Sequence, residues 1–160
     1  MAIQDELLGT TTTAVVDPLS LYRIAVSHTP KGAALRELVC QGNIRLVTPA
    51  VAFAVACSMR NCWDEECDQD HQHGTGVPLR KFQELGGVEI VDMTPADTVS
   101  AGQLYAGSSD RRVVGPEVLA ACHSLLLATS RRLPLLSAAR GAYCYSALTG
   151  GGTNYHIGLV

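Results

Sequence analysis

Charge is sparse in this chain, and long apolar runs are missing from it. Only 17% of the 160 residues are Asp, Glu, Lys or Arg, against 47% hydrophobic, which excludes a disordered or fibrous chain and fits a packed globule. A single domain over 1–160 is expected, because that length buries a sizeable core without disulfide or metal support. The formal net charge of −3 supplies no broad positive field, so any nucleic-acid contact must come from local patches. No apolar stretch reaches the roughly 20 residues of a membrane-spanning helix. The longest, Leu46 to Met59, is interrupted by Pro49. A secretory signal is missing too: Met1 to Leu8 carries Asp5 and Glu6 where basic and then apolar residues are needed, so a cytoplasmic protein is expected. In that compartment the six cysteines read as reduced thiols, without a disulfide framework. The chain also lacks a Walker-type phosphate loop, a dinucleotide glycine fingerprint and a Gly-x-Ser-x-Gly elbow, which counts against nucleotide hydrolysis and acyl transfer.

What the chain does have is alternation between short apolar runs and helical patterns. Thr13-Ala14-Val15-Val16 reads as a buried strand ending at Asp17-Pro18, with a helix following through Leu21 to Val26. Thr29-Pro30 offers an N-cap with proline at the first helical position, opening a helix through Ala33 to Cys40 that Gly42 terminates and whose buried stripe is Leu35, Leu38 and Val39. Ile44 to Val47 reads as a second strand. Thr48-Pro49 repeats the cap signal before an almost wholly apolar, deeply buried helix carrying Val51, Val55, Ala56 and Met59. Pro78 to Leu85 predicts a short helix closed by Gly86-Gly87, then a strand over Val88 to Val91 and a third capped helix from Thr94-Pro95, with Asp97 completing a capping box. Gly115-Pro116-Glu117 opens the clearest helix, with Val118, Cys122, Leu125 and Leu126 on one face and Arg131-Arg132 at its carboxyl end. Strands over Leu133 to Ser137 and Tyr155 to Val160 complete the pattern. Together these predict a three-layer α/β/α sandwich around a central, mainly parallel five-stranded sheet. Residues 1–12 are expected to be flexible, 61–77 a polar loop and 149–153 a glycine-rich joint.

Parallel sheets of this kind place ligands beyond the carboxyl ends of their strands, where strand order reverses. If the first and fourth strands flank that point, Asp17 and Ser137-Ala138-Ala139 face one cleft. Four stretches, Ala14 to Asp17, Val47 to Val55, Val118 to His123 and Leu133 to Ala139, resemble in order and spacing the PIN-domain family, which includes the VapC-type toxin ribonucleases. The resemblance runs from about Thr13 to Val160. It implies RNA cleavage by one or two magnesium or manganese ions held by three or four carboxylates, homodimers, and toxin–antitoxin-like partners. Carried over residue by residue, the first acid falls on Asp17, the second on Val55, the third beside Glu117 at Gly115-Pro116, and the fourth on Ala139. Valine and alanine cannot ligate magnesium. The cleft would then be lined by Ser20, Val55, Ser137 and Ala139, with no cofactor expected and Asp17 and Glu117 as vestigial catalytic or metal positions.

Three functional readings remain open at the level of sequence. The first is a degenerate PIN-like protein acting by nucleic-acid or protein-partner binding. The second is a magnesium- or manganese-dependent ribonuclease using Asp17, Glu117 and Asp110 in displaced positions. The third is a zinc- or redox-responsive module on Cys62, Cys67, His71 and His73, whose spacing matches no standard zinc site, so that a solvated polar loop is the simpler view. Simpler views also stand beside the other candidates. Asp17 before Pro18 serves as a helix cap, Glu117 as an acid in a first helical turn, and His123 as a packed or exposed helix residue. Arg111, Arg112, Arg131 and Arg132 read either as phosphate contacts or as solvated charges at helix ends.

Overall fold

The computed structural model describes residues 11–26, 29–59, 76–107, 116–138, 145, 148 and 157–159. Within them, strands β1 (Thr12–Val16), β2 (Ile44–Pro49), β3 (Glu89–Val91), β4 (Leu135–Ser137) and β5 (Ile157–Leu159) form one sheet in the order β3-β2-β1-β4-β5. Every neighbouring pair is parallel, with Thr12 to Val15 of β1 opposite Ile44 to Val47 of β2 and Val15-Val16 opposite Leu135-Leu136 of β4. Chain order therefore reverses between β1 and β4. A parallel strand is buried on both faces, which explains why β1 and β2 are runs of Val, Leu and Ile.

Successive residues of a strand point to opposite faces, and the two cores divide on that parity. Val15, Val47 and Leu135 pack with Val118, Cys122 and Leu125, whereas Val16, Ile44 and Leu46 pack with Leu21, Ile24, Leu79 and Phe82. The second face carries α1 (Pro18–Ala25), α2 (Pro30–Cys40) and α4 (Gly76–Glu84); the first carries α5 (Pro95–Ala106) and α6 (Pro116–Arg131). Helix α3 (Ala50–Ser58) touches α1 and α4 and also α6, so it bridges the two layers. That position explains its composition, although its burial is not uniform: Ala52, Val55 and Ala56 are buried while Ala50, Ala54 and Ser58 are exposed.

Two of the three Thr-Pro pairs cap helices. The Thr29 hydroxyl accepts from Gly32 N at 3.1 Å, and Thr94 and Asp97 form a reciprocal capping box. The third pair behaves differently from its expectation. Pro49 still pairs with Val91 in the ladder, so β2 continues through it and α3 starts at Ala50 without a side-chain cap. The Thr48 hydroxyl instead donates to Val16 O at 2.9 Å, tying β2 to the end of β1. Helix α1 starts at Pro18, earlier than expected, because Asp17 caps it. In α2 only Val39 of the predicted stripe is fully buried; Leu35 and Leu38 pack partly against the core. Helix α4 takes in Gly76 and Val77, which the predicted loop had included, and β1 takes in Thr12 from the predicted flexible end. The remainder of that loop and the 149–153 joint lie outside the described residues. No helix among the described residues is long and apolar enough to cross a membrane.

Helices α1 and α2 meet closely at Gly32. A Cβ there would lie 2.4 Å from Arg23 O and 2.8 Å from the Thr29 hydroxyl oxygen. Alanine in a helix ordinarily gains about 1 kcal/mol over glycine, but overpacking against backbone costs about 1–3 kcal/mol. Gly32→Ala should therefore lower stability in a urea titration despite the better helix former.

Candidate functional site

The reversal between β1 and β4 brings Asp17, Ser20, Leu136 and Ser137 together at the carboxyl ends of the strands. Asp17 N donates to Leu136 O at 3.3 Å, extending the β1–β4 ladder by one residue. The next residue, Pro18, has no amide hydrogen to continue it and starts α1 instead. Asp17 is thus both the last residue on the strand and the N-cap of the helix, with Oδ1 accepting from Ser20 N at 2.8 Å. Its side chain is buried, 3% exposed.

Around this carboxyl group stand three hydroxyls. Ser20 Oγ lies 2.6 Å from Asp17 Oδ1, and the Tyr145 hydroxyl donates to Oδ2 at 2.9 Å. Ser137 stands beside it too, its hydroxyl donating to Ala138 O at 3.2 Å. Among the described residues no cationic side chain pairs with it. Burial therefore pushes the Asp17 pKa up from its ordinary 3.8, against the lowering effect of Ser20, Ser137 and Tyr145. Proton counting points the same way. A serine hydroxyl has one proton, yet Ser20 Oγ is 2.6 Å from Oδ1 and 2.7 Å from Leu136 O. Both contacts are satisfied together when a protonated carboxyl donates to Oγ and Oγ donates to Leu136 O.

The other candidate residues are distributed around this centre. Val55 of α3 is buried against Ala52 and Ala120, in an apolar contact with α6 one turn beyond Glu117. Glu117 is exposed in the first turn of α6, where an acid complements the helix amino end. Arg131 and Arg132 stand exposed at the far end of the same 16-residue helix, before β4. Helical rise separates them from Glu117 by about 20 Å along the axis. Ala139, Asp110, Arg111, Arg112, Cys62, Cys67, His71 and His73 lie outside the described residues. Of the other thiols, Cys40 is exposed, Cys57 partly buried and Cys122 buried. His123 is buried on α6, and among the described residues its Nδ1 has no hydrogen-bond partner.

The described residues do not fit a magnesium or manganese centre. Among them no group of three His, Cys, Asp or Glu side chains could hold a metal ion. Hard cations prefer several oxygen ligands, and the single buried carboxyl group among the described residues already bonds the hydroxyls of Ser20 and Tyr145 and an amide.

No family model matches the chain, and no curated protein matches it. Among solved structures, a chain in the crystal structure of VapBC2 from Rickettsia felis bound to a DNA fragment from their promoter is similar, with a TM-score of 0.56 and 14% identity over 93% of this chain and 99% of that one. At that identity the likeness carries the fold alone, an α/β fold with a parallel sheet.

Sequence reasoning missed Tyr145 and the transverse role of Thr48. Asp17→Ala should cost roughly 2–4 kcal/mol, about 1 from the lost cap and the remainder from donors left unpaired. In Asp17→Asn an amide oxygen still caps Ser20 N and the amide group still meets Tyr145. Below pH 3.8 both folded and unfolded Asp17 are protonated; as pH rises past that value the unfolded state ionises first, so wild type loses stability towards the raised folded pKa. Asn does not titrate, so Asp17→Asn should gain on wild type between pH 4 and neutrality in paired denaturant titrations.

His123 acts at the acid side. Burial lowers its pKa below the ordinary 6.5, with Asp97 opposing the shift. Above pH 6.5 both states are neutral; below it the unfolded state binds a proton that the folded state refuses, and stability falls. His123→Gln should flatten the pH dependence of melting just below pH 6.5.

Proposed function

We propose that this chain is a PIN-like protein without nuclease activity that works by binding a partner. The observation carrying this reading is the state of Asp17, the one carboxylate at the family's first acidic position, enclosed in a hydrogen-bond network instead of facing a cleft. Val55, where the resemblance places the second acid, belongs to an apolar contact. Glu117, beside the third, lies on the surface. The fold likeness to a chain of the VapBC2 structure supports the framework.

A protein partner is favoured over nucleic acid. Net charge is −3, and Arg131 and Arg132 stand at the opposite end of α6 from Glu117. Phosphate binding draws its strength from clustered basic side chains. That the VapBC2 structure is of a complex bound to DNA keeps both partner classes in the test. The PIN resemblance further implies a homodimer, which light scattering at graded concentrations tests for mass.

The experiment is incubation of mixed-sequence RNA with purified wild type and Asp17→Asn in magnesium and in manganese. No cleavage above a protein-free control is expected from either protein. Metal-dependent turnover by wild type that Asp17→Asn abolishes would instead establish the ribonuclease reading with Asp17, Glu117 and Asp110 as ligands. Zinc measured in the same material should be below one equivalent per chain.

A further inference from the structure

Helix α5 is far less buried than α6, the other helix on its face of the sheet. Ala101 is its one fully buried residue, and among the described residues it joins the rest of the fold chiefly through α6. The stripe it turns towards α6 has helical spacing: Asp97, Ala101, Leu104 and Tyr105 fall at i, i+4, i+7 and i+8. The last three pack in one core with Cys122 and Leu126 of α6, and Asp97 stands half-buried at the amino end of the stripe.

His123 lies one turn before Leu126 on α6, with 7% of its surface exposed and no hydrogen-bond partner for Nδ1 among the described residues. A neutral imidazole leaves one ring nitrogen as an acceptor that needs no proton of its own. The protonated ring carries an N–H on both nitrogens, so Nδ1 becomes a buried donor in want of an acceptor. The elements packed against α6 bring Asp97 and Tyr105 on α5, Cys57 on α3, Tyr22 and Arg23 on α1 and Arg45 on β2, with no titratable group in β1 or β4. Of these, Asp97 is the one whose charge acts on His123. That carboxylate is itself committed, since Oδ2 accepts from the backbone and hydroxyl of Thr94 in the box that caps α5.

We infer that His123 makes the seating of α5 on α6 acid-sensitive: when the ring takes a proton, α5 opens from α6 while the helices on the other face of the sheet stay closed. Opening puts the imidazolium in water and uncovers Leu104, Tyr105 and Leu126, so acid changes the apolar surface that this face presents. Neither His123 nor Asp97 belongs to the Asp17 site, and the switch is independent of the partner-binding reading. The open state takes its proton at the ordinary 6.5 and the closed state only at lower pH, because burial outweighs the opposing charge of Asp97. Opening is therefore insensitive to pH above 6.5. Below it, opening grows by up to about tenfold per pH unit, the limit for uptake of one proton, until the closed state is protonated as well.

Hydrogen exchange of the full chain, followed by mass spectrometry between about pH 5 and pH 8 and corrected for the intrinsic pH dependence of amide exchange, reads that slope. Peptides covering residues 95–106 should lose protection below pH 6.5 by up to about tenfold per pH unit in wild type, and peptides covering α1 should not. His123→Gln should abolish the slope. Asp97→Asn removes the charge that favours the imidazolium, so its slope should persist to lower pH than in wild type, whatever the altered cap does to the baseline. By NMR, the His123 ring resonance, assigned by its loss in His123→Gln, should titrate below 6.5 in wild type and lower still in Asp97→Asn. An equal slope in His123→Gln and wild type would overturn the inference, as would an equal slope in α1 and α5, which marks general unfolding. A His123 ring that titrates at or above 6.5 in the folded wild type would overturn it even where His123→Gln fails to fold.

Discussion

A carboxyl group taken out of water without a cation beside it must be met by hydrogen-bond donors or be neutralised, and the arrangement at the end of β1 follows from that requirement. Asp17 is buried to 3% exposure where four parts of the chain converge: the last ladder bond of β1, the first turn of α1, the end of β4 and the tyrosine that follows it. An unsatisfied buried polar group costs about 1–3 kcal/mol, more when charged. Each donor is held by its own element, Ser20 by α1 and Tyr145 by the core on the α6 face. The polar centre therefore fixes how these elements meet at an end of the sheet where apolar packing alone leaves register and rotation less constrained.

The same constraint shapes what this end of the sheet can do. In open parallel sheets the reversal of strand order leaves a crevice for ligands, and here it falls between β1 and β4, beside Asp17. The neighbouring positions have been given to packing. Val55 fills the α3–α6 contact with Ala52 and Ala120, and Thr48, a short polar residue on β2, spends its hydroxyl on Val16 O. What remains is a cross-braced junction between layers, on a framework similar in fold to a chain of the VapBC2 structure.

Much of this framework was legible in sequence because it is local. The β1, β2 and β3 runs, the Thr29 and Thr94 caps and the Gly42 terminator with its φ of 76° are each fixed by a few adjacent residues. The reversal between β1 and β4 stood in the sequence only as a condition, and the sheet order β3-β2-β1-β4-β5 meets it. Asp17 as a cap could be read from Asp-Pro. The burial of Asp17 could not, since exposure depends on what another part of the chain lays over it. Tyr145 lay in a stretch whose period gave no contact partner, and nothing in its neighbours marks a bond spanning 128 positions. The available clue was indirect: an acid after a buried strand, with no basic residue near it in sequence, needs hydroxyl donors from somewhere. Thr48 misled for the same reason. Thr-Pro reads as a cap, but the ladder pairing of Pro49 with Val91 decides where β2 ends.

Anomalous diffraction from a crystal soaked in manganese, collected at the manganese edge, tests the structural role of Asp17 most directly. A structural Asp17 predicts no anomalous peak at its carboxyl group and a Tyr145 hydroxyl still within hydrogen-bond distance of Oδ2. A manganese ion coordinated by Asp17 together with other carboxylates, with Tyr145 displaced, would contradict it.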